Sequence, residues 1–147
     1  MILWHSTSIL KEVNQLKQNK IAGLIYILLG LFLAISPQKL FPVCEKMEKI
    51  MKCHWSAQAE IGIGLIIVAL GILIIVFKTK ETQIALSLAG FVSGITAILI
   101  PTVLIGGCKK PEMLCRTHAF PAIYLASAIL IIFSLGYALY QKNSKEI

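Results

Sequence analysis

The chain has 147 residues, 57% of them hydrophobic and 14% charged, with a mean hydropathy of +0.81. A soluble domain of this length has too little interior to hide so much apolar surface, and the same numbers exclude a disordered chain. The formal net charge of +7 sits in short segments between apolar runs and not on a basic helix with interleaved aromatics, so the expected partner is a lipid bilayer and no nucleic acid is expected.

In chain order, Ile9, Leu10, Val13 and Leu16 recur at helical spacing, with Lys11, Gln15 and Lys17 off that stripe. The pattern predicts a short amphipathic helix lying on the membrane surface, with Ser8 as its cap; a frayed tail is the plain alternative. Four apolar runs follow, each near the ~20 residues needed to cross ~30 Å of hydrocarbon. They are Ile21 to Ser36, Ala57 to Phe77, Ile84 to Gly106 and Ala119 to Tyr140. The expected organisation is an amphipathic N-terminal segment over residues 1–20 and a four-helix transmembrane domain over residues 21–147. The first run is short enough to suggest a cleaved signal peptide ending near Ala34 to Ser36, but the long positive stretch before it argues against that reading. In the second run, thirteen Ile, Leu, Val and Phe residues lie between Ile61 and Phe77. Together they contribute on the order of −6 kcal/mol to insertion, which Glu60 at the edge does not cancel. The runs are too long and unalternating for barrel strands, and lipid offers no partner for an open sheet edge.

An internal repeat is visible. Gly30, Pro37 and Cys44 are spaced by seven, and Gly94, Pro101 and Cys108 reproduce that spacing 64 residues later. Met51-Lys-Cys53 and Met113-Leu-Cys115 share a Met-x-Cys pattern, each followed by a histidine, His54 and His118. The fold expected from these features is an all-α, four-transmembrane-helix bundle built from two repeated helical hairpins. Gly62, Gly64, Gly71, Gly90, Gly94, Ala126, Ser127, Ser134 and Gly136 are small residues suited to helix contacts within the bundle, with homo-oligomer formation as the lesser alternative. Pro101 reads as a kink or exit of the third helix.

Four spans place both termini on one side and both cysteine-bearing loops on the other. Lysines and arginines are tied at seven per side, so the positive-inside rule does not orient the chain. The cysteines do: two in each loop and none inside a span fit oxidation outside the cell, with the termini cytoplasmic. Cys44, Cys53, Cys108 and Cys115 are therefore expected to form disulfides. One bridge within each loop is sterically simple, and cross-loop pairing stays open.

Two sharper chemistries compete for the same sulfurs. Met51, Cys53, His54, Met113, Cys115 and His118 are soft or borderline ligands suited to copper or haem, although no Cys-x-x-Cys or haem-attachment motif is present. A quinone-linked thiol-disulfide oxidoreductase would also carry one cysteine pair in each outward loop, with Lys52 and His54 flanking Cys53 to favour its thiolate. Glu60 is an intramembrane polar site by its position, but its simpler reading is a first-turn acid favoured by the helix dipole and reaching head groups, with Ser56 as N-cap and Trp55 as interfacial anchor. The chain contains no aspartate and no phosphate-cradling glycine loop, so hydrolase and nucleotide-using readings are poor.

The segment Met51-Lys-Cys53-His54-Trp55-Ser-Ala57-Gln-Ala59-Glu60-Ile-Gly62, followed by Gly107-Cys108 and Met113-Leu-Cys115-Arg-Thr117, resembles a family of small prokaryotic four-span proteins, domain of unknown function 4418. The resemblance covers most of the chain after about Ile21. It implies a place in the prokaryotic cell membrane and an accessory-subunit role beside exporters that have an ATPase and a permease of the macrolide-exporter type. The sequence as a whole reads as a membrane accessory or interaction protein rather than a catalyst, with His54, Trp55, Met113 and His118 offering contacts on the loops.

Overall fold

The computed structural model describes residues 2–36, 52–106 and 115–143, with side-chain surroundings from Ile9, Trp55 and Thr117 onward in the three segments. Helix α1 spans Ile2–Ile35, α2 spans Lys52–Val76, α3 spans Lys80–Leu99 and α4 spans Phe120–Asn143. Four stretches, Ile9–Ile35, Trp55–Val76, Lys80–Leu104 and Thr117–Asn143, are long and apolar enough to cross a membrane, and no strand occurs among the described residues. The protein is an all-α, multi-pass membrane bundle.

Helix α1 packs most extensively on α2, and α3 on α4, so the bundle consists of two helical hairpins. The hairpins meet along α2–α3 and, less extensively, along α1–α4. Buried positions advance in steps of three and four: Tyr26, Gly30 and Leu33 in α1; Glu60, Gly64, Ile67, Gly71 and Ile74 in α2; Gln83, Ser87, Gly90, Gly94 and Ala97 in α3; and Ile123, Ser127, Leu130, Ser134, Tyr137 and Gln141 in α4. A mean step of 3.5 keeps one face of each helix on the bundle axis and suits the shallow left-handed crossing of antiparallel bundles. Outward residues such as Leu65, Val92, Leu125 and Ile132 are just as apolar, as a lipid-facing surface requires.

The first hairpin closes on glycines. A Cβ placed on Gly64 would lie 2.7 Å from the Gly30 carbonyl oxygen, and one on Gly30 would lie 2.7 Å from the Gly64 oxygen. One heptad away, a Cβ on Gly23 would lie 2.6 Å from the Gly71 oxygen and one on Gly71 would lie 2.7 Å from the Gly23 oxygen. The second hairpin has no such pair: the Gly94 position faces Ile131, and Gly90 receives the ring of Tyr26 from the diagonal helix. Gly30 and Gly94, equivalent in the sequence repeat, thus each face their own hairpin partner. Gly62 and Gly136 do not line helix contacts as their small size suggests; both are exposed, and a Cβ added to either would have nothing within 4 Å.

Three further expectations change. The amphipathic stripe of residues 9–16 is helical, but it continues into the first span as a single 34-residue helix instead of a separate surface element. No Gly or Pro interrupts residues 9–22, and Lys, Gln and Leu carry helix propensity through the junction. Ser8 consequently lies inside α1, and Ser56 lies inside α2, which begins at Lys52; neither is an N-cap. Pro101 does mark the exit of α3, in a π-helical turn over Ile100–Leu104; two residues later comes Gly106, whose φ of 76° is in the left-handed region that glycine tolerates. A similar turn, Cys115–Ala119, leads into α4.

Candidate functional site

Glu60 sits one helical turn before Gly64 on the stripe of α2 that faces the other helices, and it is 0% exposed. Neither carboxyl oxygen has a hydrogen-bond partner, and the same is true of the buried hydroxyls of Ser36 and Ser127. All three belong to the half of the bundle nearest the cysteine-bearing segments: Ser36 follows the end of α1, while Glu60 and Ser127 lie two turns inside α2 and α4, so Glu60 is not the first-turn acid that its place in the sequence suggests. The hydroxyl of Ser56, one turn before Glu60, donates to the Gly106 carbonyl at 3.3 Å and ties the start of α2 to the end of the α3 segment. Trp55 beside it is 59% exposed, where an interfacial indole belongs. Glu60 therefore points inward and not to head groups. A bare charge in such surroundings is costly, so the group calls for a proton, a cation or a donor from a partner.

The opposite end, near the chain termini, is built differently. Tyr137 Oη lies 2.7 Å from Asn19 Oδ1 and 3.2 Å from Gln83 Oε1 and donates its single proton between the two acceptors. Gln141 Nε2 donates to Tyr137 Oη at 2.9 Å and to Asn19 Oδ1 at 3.2 Å, and Gln15 Nε2 donates to Gln141 Oε1 at 2.7 Å. Gln83 Nε2 donates to the Ile74 carbonyl at 2.8 Å and also to the Phe77 carbonyl, which satisfies orphan acceptors at the end of α2. These bonds link all four helices across the three-residue turn between α2 and α3. One level deeper, Tyr26 Oη and Ser134 Oγ are 2.6 Å apart, and the Tyr26 ring meets Phe133 edge-on at 5.9 Å.

Cys53 and His54 lie in the first turn of α2, and Cys115 and His118 lie in the turn that leads into α4, so the backbone brings these residues to the same end of the bundle as Glu60. His118 is exposed and takes part in an interaction. Cys44, Met51, Cys108 and Met113 lie outside the described residues, as does the expected disulfide pairing. Among the described residues, no group of three or more His, Cys, Asp or Glu side chains converges. The polar layer at the terminus end escapes a reading based on hydropathy because Asn19, Gln83 and Gln141 sit in the polar stretches that border the apolar runs, where polar residues read as solvated ends. Its signal is periodic: Asn19 and Tyr26 are seven apart, as are Ser134 and Gln141, on the stripe each helix buries.

No curated protein and no solved structure matches the chain. The model of one family, domain of unknown function (DUF4418), matches residues 26–140, which run from the buried Tyr26 in α1 to the last turn of α4. With that match extending over well more than half of its length, the chain belongs to the DUF4418 family.

Proposed function

We propose that the protein is an integral membrane accessory or interaction protein, acting as a subunit of a membrane transporter through its extracytoplasmic loops. The observation that carries this reading is the polar layer of Asn19, Gln83, Tyr137 and Gln141, which ties the two hairpins together at the terminus end, so that the loops at the far end stand on one hydrogen-bonded bundle. A bundle of this kind suits presentation of fixed loops. In this proposal Cys44, Cys53, Cys108 and Cys115 staple the loops as disulfides, the termini are cytoplasmic and the membrane is the prokaryotic cell membrane.

Copurification from native membranes at endogenous level tests the reading. A stable transporter partner supports it. Isolation of the chain alone with bound copper or haem would transfer the loop Cys, Met and His residues to a ligand site, and a quinone-dependent thiol oxidation would make the protein an enzyme. A second reading, proton or cation handling at Glu60, is favoured by the complete burial of that carboxyl and by its unpartnered oxygens. Loss of a proton- or cation-dependent transport activity in Glu60→Gln, with the partner still bound, supports that role.

A further inference from the structure

At the terminus end, a cavity of about 580 Å³ opens between the first turns of the α1 span, the α2–α3 turn and the end of α4, lined by Lys11, Glu12, Asn14, Gln15, Lys78, Lys80 and Tyr140. Three lysines face one glutamate there, so the cavity is net positive. Its floor is fixed, because Gln15 is held by the fully buried Gln141 at 2.7 Å. Below it, a second cavity of about 220 Å³ is lined by Gln18, Ile21, Ala22, Phe133, Tyr137 and Tyr140. Tyr140 borders both. On α1, residue 11, the pair 14 and 15, residue 18 and the pair 21 and 22 recur at intervals of three and four, and on α4 residues 133, 137 and 140 do the same, so the two cavities follow one continuous pair of helix faces. The seam they follow, α1 against α4, is the least extensive of the four between neighbouring helices.

A charged basin that leads into an apolar groove down the side of a transmembrane bundle has the polarity of a phospholipid. We propose that this site binds one anionic phospholipid, with its phosphate between Lys11 and Lys78 and an acyl chain along Ile21, Ala22, Phe133 and Tyr137. Lys11 and Ala22 are separated by about 16 Å of helix rise, enough to accommodate a head group, the glycerol and the upper part of a chain. Basic pockets between transmembrane helices bind anionic head groups because the surface charge of the lysines is focused where the lipid phosphate already resides.

The test uses the full chain equilibrated with vesicles of equal phosphatidylcholine and phosphatidylglycerol, extracted gently and weighed intact by mass spectrometry, with thermal unfolding as a check on the fold. One phosphatidylglycerol is expected to remain bound in preference to phosphatidylcholine. Lys11→Gln and Lys78→Gln each weaken its retention about five-fold, and together about twenty-five-fold, while Lys142→Gln, a lysine on the same end outside the cavity, leaves it unchanged. Ile21→Ser weakens retention of the long-chain lipid while the lysines stay intact. Equal retention of the two lipids, unchanged retention in the folded double lysine variant, or full displacement by millimolar inorganic phosphate would overturn the proposal, the last by making the site one for a soluble anion.

Discussion

Substituting Gly64 by alanine adds one methyl group where the first hairpin has no room for it. The new Cβ would meet the Gly30 oxygen at 2.7 Å, the Ala34 Cβ at 2.8 Å and the Ala34 backbone nitrogen at 2.8 Å, against the 3.4 to 4 Å of ordinary contact. Two of the three atoms are backbone and no side chain can rotate away, so α1 and α2 must separate by about 0.7 Å. Gaps of that size forfeit between a quarter and a half of each contact energy along the seam, and overpacking of this kind costs about 1 to 3 kcal/mol. Gly62, two residues earlier on the same helix, faces open space, and alanine there is expected to stabilise by about 0.5 to 1 kcal/mol through helix propensity. The two single-methyl changes should therefore differ by about 1.5 to 4 kcal/mol. Reversible unfolding in mixed micelles, followed by far-ultraviolet circular dichroism, measures the difference. The Gly30→Ala/Gly64→Ala double variant should cost less than the two single changes combined, because one separation relieves both clashes. Equal stability of Gly64→Ala and Gly62→Ala would refute close glycine packing as the basis of the hairpin.

Tyr137→Phe removes the hydroxyl that joins Asn19, Gln83 and Gln141, and is expected to cost about 1 to 2 kcal/mol in the same unfolding assay; a double-mutant cycle with Asn19→Ala should return a coupling of about 0.6 to 1.7 kcal/mol. Glu60→Met replaces an unpartnered buried carboxyl with an apolar side chain of similar length and should raise stability by about 1 to 3 kcal/mol, whereas a loss would reveal a partner for the carboxyl in the membrane. Peptide mapping without reductant should show Cys44 with Cys53 and Cys108 with Cys115, each bridge closing a loop of about ten residues and contributing about 2.5 to 3 kcal/mol; free thiols throughout would remove the stapled-loop proposal. After reduction, a membrane-impermeant maleimide applied to intact cells should label these cysteines, and labelling only in inverted vesicles would reverse the proposed orientation.

Composition and run length were sufficient for the architecture. The Ala57 to Phe77 run can satisfy its backbone in lipid only as a helix, and four such runs crossing in alternate directions leave an antiparallel bundle as the natural packing. The repeat of Gly30 and Gly94 points to two hairpins, but not to how each closes: Gly30 meets Gly64, whereas Gly94 faces Ile131. What the runs do not contain is the direction in which each residue faces, because in a bilayer the outer surface is as apolar as the core and the usual amphipathic contrast is lost. Gly62 and Gly64 are indistinguishable by type, yet one faces open space and the other touches α1. Glu60 shows the same limit: near the start of a span an acid can reach outward along the surface, and only the register set by the Gly30–Gly64 contact turns it into the interior. Asn19, Gln83, Tyr137 and Gln141 are far apart in sequence, and their convergence depends on four helices arriving at one level. The sequence alone determined that the chain forms helices and enters the membrane, since transfer free energy and backbone hydrogen bonding act on each segment separately; which side chains meet inside was decided only by the tertiary structure, since that depends on rotation and depth, which are properties of helices packed together.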